Sequence, residues 1–495
     1  MGIVQRQGLR NTVISYVGLG IGFVNTTLVL PRLLLPAQLG LLSVLVALAT
    51  LGSKLAEFGF TNMALRYFPY YRDPERRHQG FLPLLLGVPL AVFGVVVLGM
   101  ALGKPWVLAW YAHGQDTALV ARHYGTMLLL AFCILLYNLL DAYAKSLFLT
   151  AFSSFLTEVV QRVLVVSAAL LYATHVLTFD GFVLAYLGAY AAVALALLVY
   201  LGAAGELHLR PTRAVLAVRP LGELLRFSSF VLLGNISGNI LVTVDSLMLG
   251  SQKGLADAGI YVIALNISTA LGIPFRALNK TAYPLVAEYW KDGATDKMLD
   301  FYRRSTLLAT AGGAYLALGI GLNLPFIYGL IHRPEFAAGT VAVLLLLLGR
   351  LTDGVTSLNG IIVATSPRYR YDLIFNVSLA GSIVLLNWLL IPRLGLTGAA
   401  LSNALALVGI NLARTWFVWR SFGWQPFNRR VFYLLALAGA AGAVAGVLPD
   451  TGNLWLTLLL RGGVLTVLYG AGLLLTGWVP EVNKLARRLG LPVGR

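Results

Sequence analysis

The sequence predicts an all-α integral membrane protein of about fourteen transmembrane helices, arranged as two pseudo-symmetric six-helix lobes plus a C-terminal helix pair. Three observations predict it. Of the 495 residues 58% are hydrophobic and only 12% are charged, well to the apolar side of soluble domains. Apolar runs of about 20 residues, the length that crosses a hydrocarbon core about 30 Å thick, recur along the whole chain. Lysine and arginine are concentrated in alternate connections between those runs, as topology in a membrane requires.

The runs fall at 9–30, 38–65, 80–102, 119–143, 152–174, 180–202, 222–250, 257–288, 303–328, 337–363, 371–391, 396–419, 430–448 and 454–478. The opening MGIVQRQGLRNTVISYVGLGIGF has no small-residue cleavage site behind a short apolar core, so it is expected to be retained as the first span. With the N-terminus inside, the inner connections hold 23 of the 37 basic residues, the outer ones 5, and the other 9 lie within or at the edges of spans. This bias predicts that both termini are cytoplasmic. It also accounts for much of the +17 net charge as topology, with anionic membrane lipid, not nucleic acid, beside the inner loops.

The connections are too short to hold a folded domain. The largest inner one, 203–221, separates an N-lobe (1–202, spans one to six) from a C-lobe (222–420, spans seven to twelve). Residues 421–495 form the terminal pair and tail. The lobes read as repeats. LPRLLLPAQLGLLSVLVAL after span one corresponds to VDSLMLGSQKGLADAGIYVIAL after span seven: a helix end, a short turn with an acceptor residue, and a glycine opening the next long helix. Spans two and eight each close on an aromatic–proline pair, Phe68-Pro69 and Tyr283-Pro284. Repeats of this kind rock about a central cavity.

The stretch Leu225 to Trp290 carries the clearest functional signal. Its first helix holds Ser228, Asn235, Asn239 and Asp245. Its second holds Asn266, Thr269, Arg276 and Lys280, and at 3.6 residues per turn positions 266, 269, 273, 276 and 280 fall on one stripe. A charge facing lipid costs roughly 2.5–3.5 kcal/mol on insertion scales, so that stripe faces protein or water. Arg276 has no acidic neighbour one turn away, which marks it as a site for an anion. Lys280 either joins it or snorkels to the headgroups. Asn235, Asn239 and Asn266 are either substrate contacts or interhelical packing contacts.

Other spans carry charge at helical spacing: Lys54 and Glu57, Asp141 and Lys145, Glu158 and Arg162, Arg350 and Asp353, and Arg414 alone. Each couple is either a local ion pair or part of the transport machinery. Lys54 and Arg350 are candidates for substrate contact. Glu57, Asp353, Asp245 and Asp141 are candidates for coupling to H+ or Na+, or for gating. Gly18, Gly20 and Gly22 permit close packing or bending.

Soluble-enzyme chemistry is excluded by what the sequence lacks. There is no phosphate loop and no dinucleotide fingerprint, and the six histidines have no metal spacing. No catalytic residue, metal or cofactor is expected, and transport is expected to be driven by an ion gradient, the membrane potential or downstream use of the product. The lone Cys133 excludes an intramolecular disulfide.

Several motifs together resemble the oligosaccharide (polysaccharide, O-antigen-type) flippases of the multidrug/oligosaccharidyl-lipid/polysaccharide exporter (MOP) superfamily, whose fold is shared with MATE transporters. They are LLLPAQLGLLSV, EFGFTNMALRYFP, FLTEVVQRVLVV, VDSLMLGSQKGLADAGIYVIAL, RLTDGVTSLNGIIVATSPRYRYDL and IPRLGLTGAALSNALALV, spread over residues 5–425. The resemblance implies a substrate, an undecaprenyl-diphosphate-linked oligosaccharide moved from the inner to the outer leaflet of a bacterial cytoplasmic membrane for polysaccharide, O-antigen or lipopolysaccharide biosynthesis. The polymerase machinery would be its partner. The fourteen-span count keeps a lipid II flippase open as an alternative, and the superfamily also contains multidrug/cation antiporters. A membrane glycosyltransferase or polymerase would need an outer domain and an outer catalytic carboxylate, for which only Asp116 and Asp245 are available.

Overall fold

In a computed structural model, residues 14, 17–73, 75–111, 115–212, 214–356 and 358–488 are described. Among them there are helices and no strand. The first expected span therefore lies partly outside the described residues, as do Arg6, Arg10, Arg213 and Arg495. The main helices are α1 (Pro36–Glu57), α2 (Phe60–Tyr71), α3 (Phe81–Trp110), α4 (Gln115–Ser146), α5 (Gln161–Ala173), α6 (Phe179–Ala203), α7 (Leu221–Lys253), α8 (Leu255–Thr269), α9 (Gly272–Lys291), α10 (Thr295–Leu322), α11 (Leu324–Ile331), α12 (Thr340–Val355), α13 (Leu358–Thr365), α14 (Arg370–Phe422), α15 (Arg429–Val447), α16 (Leu454–Thr476) and α17 (Pro480–Arg488).

Among the described residues eleven helical segments are long and apolar enough to cross a membrane, or twelve if α8 and α9, bent by 51° at a short break, count as one span. The 53-residue α14 turns at Gly395 (φ 57°, ψ −132°), a conformation open essentially to glycine. Past the turn the chain doubles back: a Cβ on Gly398 would strike the backbone of Leu390. A straight helix of that length would be about 80 Å at 1.5 Å per residue, so α14 has the length for two spans. The expected count of fourteen further requires Val17–Leu33, shorter than the others, to be one. Many large apolar side chains point outward, among them Trp106 (79% exposed) and Val447 (85%). Such a surface suits lipid and not water.

The chain divides into two compact units, Met1–Val262 and Ile263–Arg495. The division falls inside α8 and not in the connection 203–221, because α7 packs along α1. In the first unit an aromatic core joins α2, α3 and α4 through Phe60, Phe68, Tyr71, Phe81 and Tyr143, and α6 adds Val193, Leu197 and Leu201 to it. Gly18 and Gly22 lie directly against Glu158 and Arg162, where a Cβ would collide, while Gly20 faces open space. In the second unit one core lies between α10, α15 and α16, built on Leu434, Leu465 and Tyr469. Another joins α9, α10, α13 and α14 around Ala282, Tyr302 and Trp424. The expected terminal helix pair thus packs on α10.

Candidate functional site

The break between α8 and α9 has a covalent cause. Pro274 has no N–H to donate to the carbonyl of Ala270, and its ring crowds that carbonyl. The chain answers with tighter i→i−3 bonds, Leu271 N–H to Ser268 O at 3.2 Å and Ile273 N–H to Ala270 O at 3.2 Å. The helix then restarts at Gly272 in a new direction. The expectation of one straight helix with positions 266 to 280 on a single stripe is corrected here: the bend breaks the register. Thr269 and Arg276 still face one cavity, but Asn266 and Lys280 do not line it.

Phe275 fixes the rotation of α9. Its ring is buried against Gly313 and Gly354, at both of which a Cβ would strike it. With Phe275 wedged into that notch, the next residue, Arg276, lines a cavity of about 130 Å³ together with Thr269, Asn279, Arg350 and Asp353. Two guanidinium groups therefore meet one carboxylate. Neither Arg276 nor Lys280 makes a hydrogen bond or ion pair among the described residues.

A second cavity of about 330 Å³ shares Asn279 and Asp353 with the first, and continues to Asp372, Asn376, Asn411 and Arg414. Here the polar groups are cross-linked. Asn411 Nδ2 donates to Asp353 Oδ1 at 3.0 Å. Arg414 Nη2 donates to Asn376 Oδ1 at 2.8 Å and lies 3.5 Å from Asp372 Oδ1. Asn376 Nδ2 in turn donates to Asp372 Oδ2 at 3.1 Å. Together the adjoining cavities hold three arginines and two aspartates. Asn279, Asp372, Asn376 and Asn411 were not among the expected site residues. The signal available was spacing: Asp372 with Asn376, and Asn411 with Arg414, each share a helix face.

The other expected residues belong to the first unit, apart from Asn266. Glu57 is fully buried and accepts from Lys54 Nζ at 2.9 and 3.0 Å, from Asn138 Nδ2 at 2.6 Å and from Thr61 at 3.3 Å. Asp245 is buried and accepts from the Tyr261 hydroxyl at 2.5 Å. Asp141 pairs with Lys145 at 2.5 Å, and Glu158 with Arg162 at 2.6 Å. Asn235 Nδ2 donates to Asn62 at 3.2 Å, and Asn239 accepts from Thr243 on its own helix. Asn266 is half-buried, and its carbonyl accepts from Thr269. Among the described residues no cluster of His, Cys, Asp or Glu could hold a metal ion.

Long apolar helices and an apolar exterior define a multi-pass membrane protein. The chain is similar over 94% of its length, and 98% of the other's, to the lipid II flippase MurJ in an inward closed conformation, with a TM-score of 0.72 at 11% identity. It is similar over 82% of its length, and 93% of the other's, to an inward-facing multidrug resistance MATE family transporter of the MOP superfamily, with a TM-score of 0.62 at 16% identity. A MOP superfamily transporter from Pyrococcus furiosus, described as having a binding pocket of reverse polarity, aligns over 83% of this chain and 94% of its own with a TM-score of 0.53 at 15% identity. Among curated proteins none matches by sequence. The family of polysaccharide biosynthesis proteins matches residues 5–290, more than half of the chain, and this protein belongs to that family, with the fold of the MOP superfamily.

Proposed function

We propose that this protein is a flippase that moves an undecaprenyl-diphosphate-linked oligosaccharide from the inner to the outer leaflet of a bacterial cytoplasmic membrane by alternating access. The observation that carries the reading is Arg276: a guanidinium with no partner among the described residues, lining a cavity together with a second arginine, Arg350. A diphosphate is the chemical complement of that arrangement. Paired N–H donors of arginine match phosphate oxygens, and a cavity partly shielded from water strengthens each contact. The family's role in polysaccharide biosynthesis supports a glycan as cargo and polymerising machinery as its recipient.

The basic bias of alternate connections supports cytoplasmic termini, so that cargo enters from the side where lipid-linked sugars are built. Asp353 is the coupling candidate that the cavity favours. It lines the same cavity as Arg276 and Arg350, so an entering anion changes its electrostatic surroundings. A lipid II flippase is the second reading, favoured by the breadth of the fold similarity to MurJ. Both readings use the diphosphate.

The test is export of mature glycan in a flippase-deleted strain, with abundance checked by immunoblot. Arg276→Ala is expected to reach the membrane and abolish export, and Arg276→Lys to impair it more than Lys280→Arg does. Export by Arg276→Ala at wild-type level would overturn the diphosphate role. Rescue of a MurJ-depleted strain, without rescue of polysaccharide export, would decide for lipid II.

A further inference from the structure

A separate cavity of about 360 Å³ opens at the start of α10, between α9, α10 and α17. Its size falls in the roughly 300–1,000 Å³ range of small-molecule sites. Its chemistry is graded along α10: Lys297, Asp300 and Arg304 come first, and Leu308, with Leu278 of α9, follows toward the interior of the span. Tyr289 and Phe301, packed edge to face at 6.3 Å, add an aromatic wall. A polar mouth over an apolar floor at the end of a membrane helix is the profile of the lipid headgroup region.

The charges narrow the ligand. Arg304 is engaged by Asp300 at 2.9 Å. Lys297 makes no ion pair or hydrogen bond among the described residues. On the other side, Glu481 Oε2 is buried from solvent and has no hydrogen-bond partner among the described residues. The cavity thus presents one unengaged cation and one unengaged carboxylate oxygen, and its four charged side chains sum to zero. An anion alone would leave Glu481 unmet, and a cation alone would leave Lys297 unmet. A buried acceptor left without a donor is destabilising, so the ligand that fits supplies an N–H donor as well as a phosphate.

We propose that this cavity binds a phosphoethanolamine group, the phosphate at Lys297 and the primary ammonium at Glu481 Oε2, and that its source is the headgroup of a membrane phospholipid. The apolar floor then meets the glycerol and first acyl carbons, which free phosphoethanolamine lacks. A choline headgroup fits poorly, because its trimethylammonium has no proton to donate to the carboxylate.

The full-length chain, purified in mild detergent, is titrated with dioleoyl phosphatidylethanolamine, phosphatidylcholine and phosphatidylglycerol, and with soluble phosphoethanolamine. Retained lipid is read by native mass spectrometry and the unfolding midpoint by tryptophan fluorescence. Phosphatidylethanolamine is expected to bind at least ten-fold more tightly than either other lipid and to raise the midpoint, with the soluble headgroup far weaker. Glu481→Gln, which keeps an acceptor oxygen but loses the charge, is expected to reduce the preference for ethanolamine over choline, and Glu481→Leu, which has no acceptor, to erase it. Lys297→Ala, at an exposed position where folding is not at risk, should weaken all three lipids. Equal binding of the three lipids by the wild type, or an ethanolamine preference that survives Glu481→Leu, would overturn the proposal. Soluble phosphoethanolamine binding as tightly as the lipid would assign the site to a free metabolite and overturn the lipid source. None of these readouts depends on Arg276 or on export.

Discussion

Gly40 and Gly259 pack backbone against backbone where α1 and α8 begin. A Cβ on Gly40 would collide with the carbonyl of Leu255 and lie 3.1 Å from the Gly259 nitrogen, while one on Gly259 would collide with the carbonyl of Pro36 and lie 2.9 Å from the Gly40 nitrogen. The contact is reciprocal, as two related helix starts meeting about a pseudo-twofold would make it. Each start is capped by an acceptor: Gln38 Oε1 takes the Leu35 N–H at 2.9 Å, and Asp116 Oδ2 takes the Leu255 N–H at 2.8 Å.

Alanine at either glycine is therefore expected to force the two helices apart, since the obstructing atoms are backbone and cannot rotate away. Overpacking of this kind costs about 1–3 kcal/mol. Gly40→Ala and Gly259→Ala should each lower the unfolding midpoint in detergent by several degrees. Gly87→Ala and Gly94→Ala, where nothing lies within 4 Å of the new Cβ, should leave it unchanged or raise it. Equal midpoints for all four variants would show that the crossing tolerates a side chain.

The second prediction concerns Glu57. Glu57→Ala leaves the half-buried Lys54 without its carboxylate and Asn138 without its acceptor, and breaking a buried pair from one side costs about 3–5 kcal/mol. The double variant Lys54→Met/Glu57→Leu removes both charges and should recover most of that loss. Its export then separates the two roles left open by spacing alone. Normal export by a stable double variant makes the pair structural, and lost export at normal abundance makes Glu57 part of the coupling machinery.

How much of this was legible in the sequence varies residue by residue. The glycines that open α1 and α8 stood out because a turn and a helix start leave local marks, and so did the solitary Arg276. Pro274 was equally visible in ALGIPFR, but a hydropathy run averages over 20 residues and one proline does not interrupt it. That averaging made a bent pair look like one straight span and put Asn266 and Lys280 on the face of Arg276. The partners Asn138 for Glu57 and Asp372 for Arg414 lie 81 and 42 residues away. Spacing along one helix carries no information about such pairs. The local couples Lys54–Glu57, Asp141–Lys145 and Glu158–Arg162 were therefore found, and the longer-range partners Asn138, Asp372 and Asn411 were not.

Pro274 gives the third prediction. Pro274→Ala restores an N–H that can reach the Ala270 carbonyl, and it removes the ring that crowds it, so α8 and α9 gain the option of running straight. The variant should be at least as stable as the wild type, because proline inside a helix costs about 3 kcal/mol. It should nonetheless export poorly, since straightening carries Arg276 away from Arg350 and Asp353. Full export with an unchanged midpoint would mean that packing of Phe275 against Gly313 and Gly354, not the proline, sets the bend.

The last prediction weighs two aspartate–arginine contacts in the second unit against each other. Asp300 and Arg304 are 58% and 49% exposed at their side chains, and exposed pairs contribute about 0–1 kcal/mol. Asp372 and Arg414 are 30% and 11% exposed, and Arg414 additionally lies 5.7 Å from the centre of the Phe375 ring. Its guanidinium has little water to fall back on, so neutralising Asp372 leaves a desolvated charge facing neutral amide oxygens, with no carboxylate beside it among the contacts of the described residues. Asp300→Asn should move the unfolding midpoint by less than the error of measurement. Asp372→Asn should lower it clearly, and Asp372→Asn combined with Arg414→Gln should recover part of the loss. Export gives the second readout. If Asp372 and Arg414 only brace α14, the double variant exports in proportion to its abundance. If Arg414 instead continues the anion path from Arg276 and Arg350, export stays low in a double variant that is abundant and stable. Equal midpoints for Asp300→Asn and Asp372→Asn would contradict the burial argument itself.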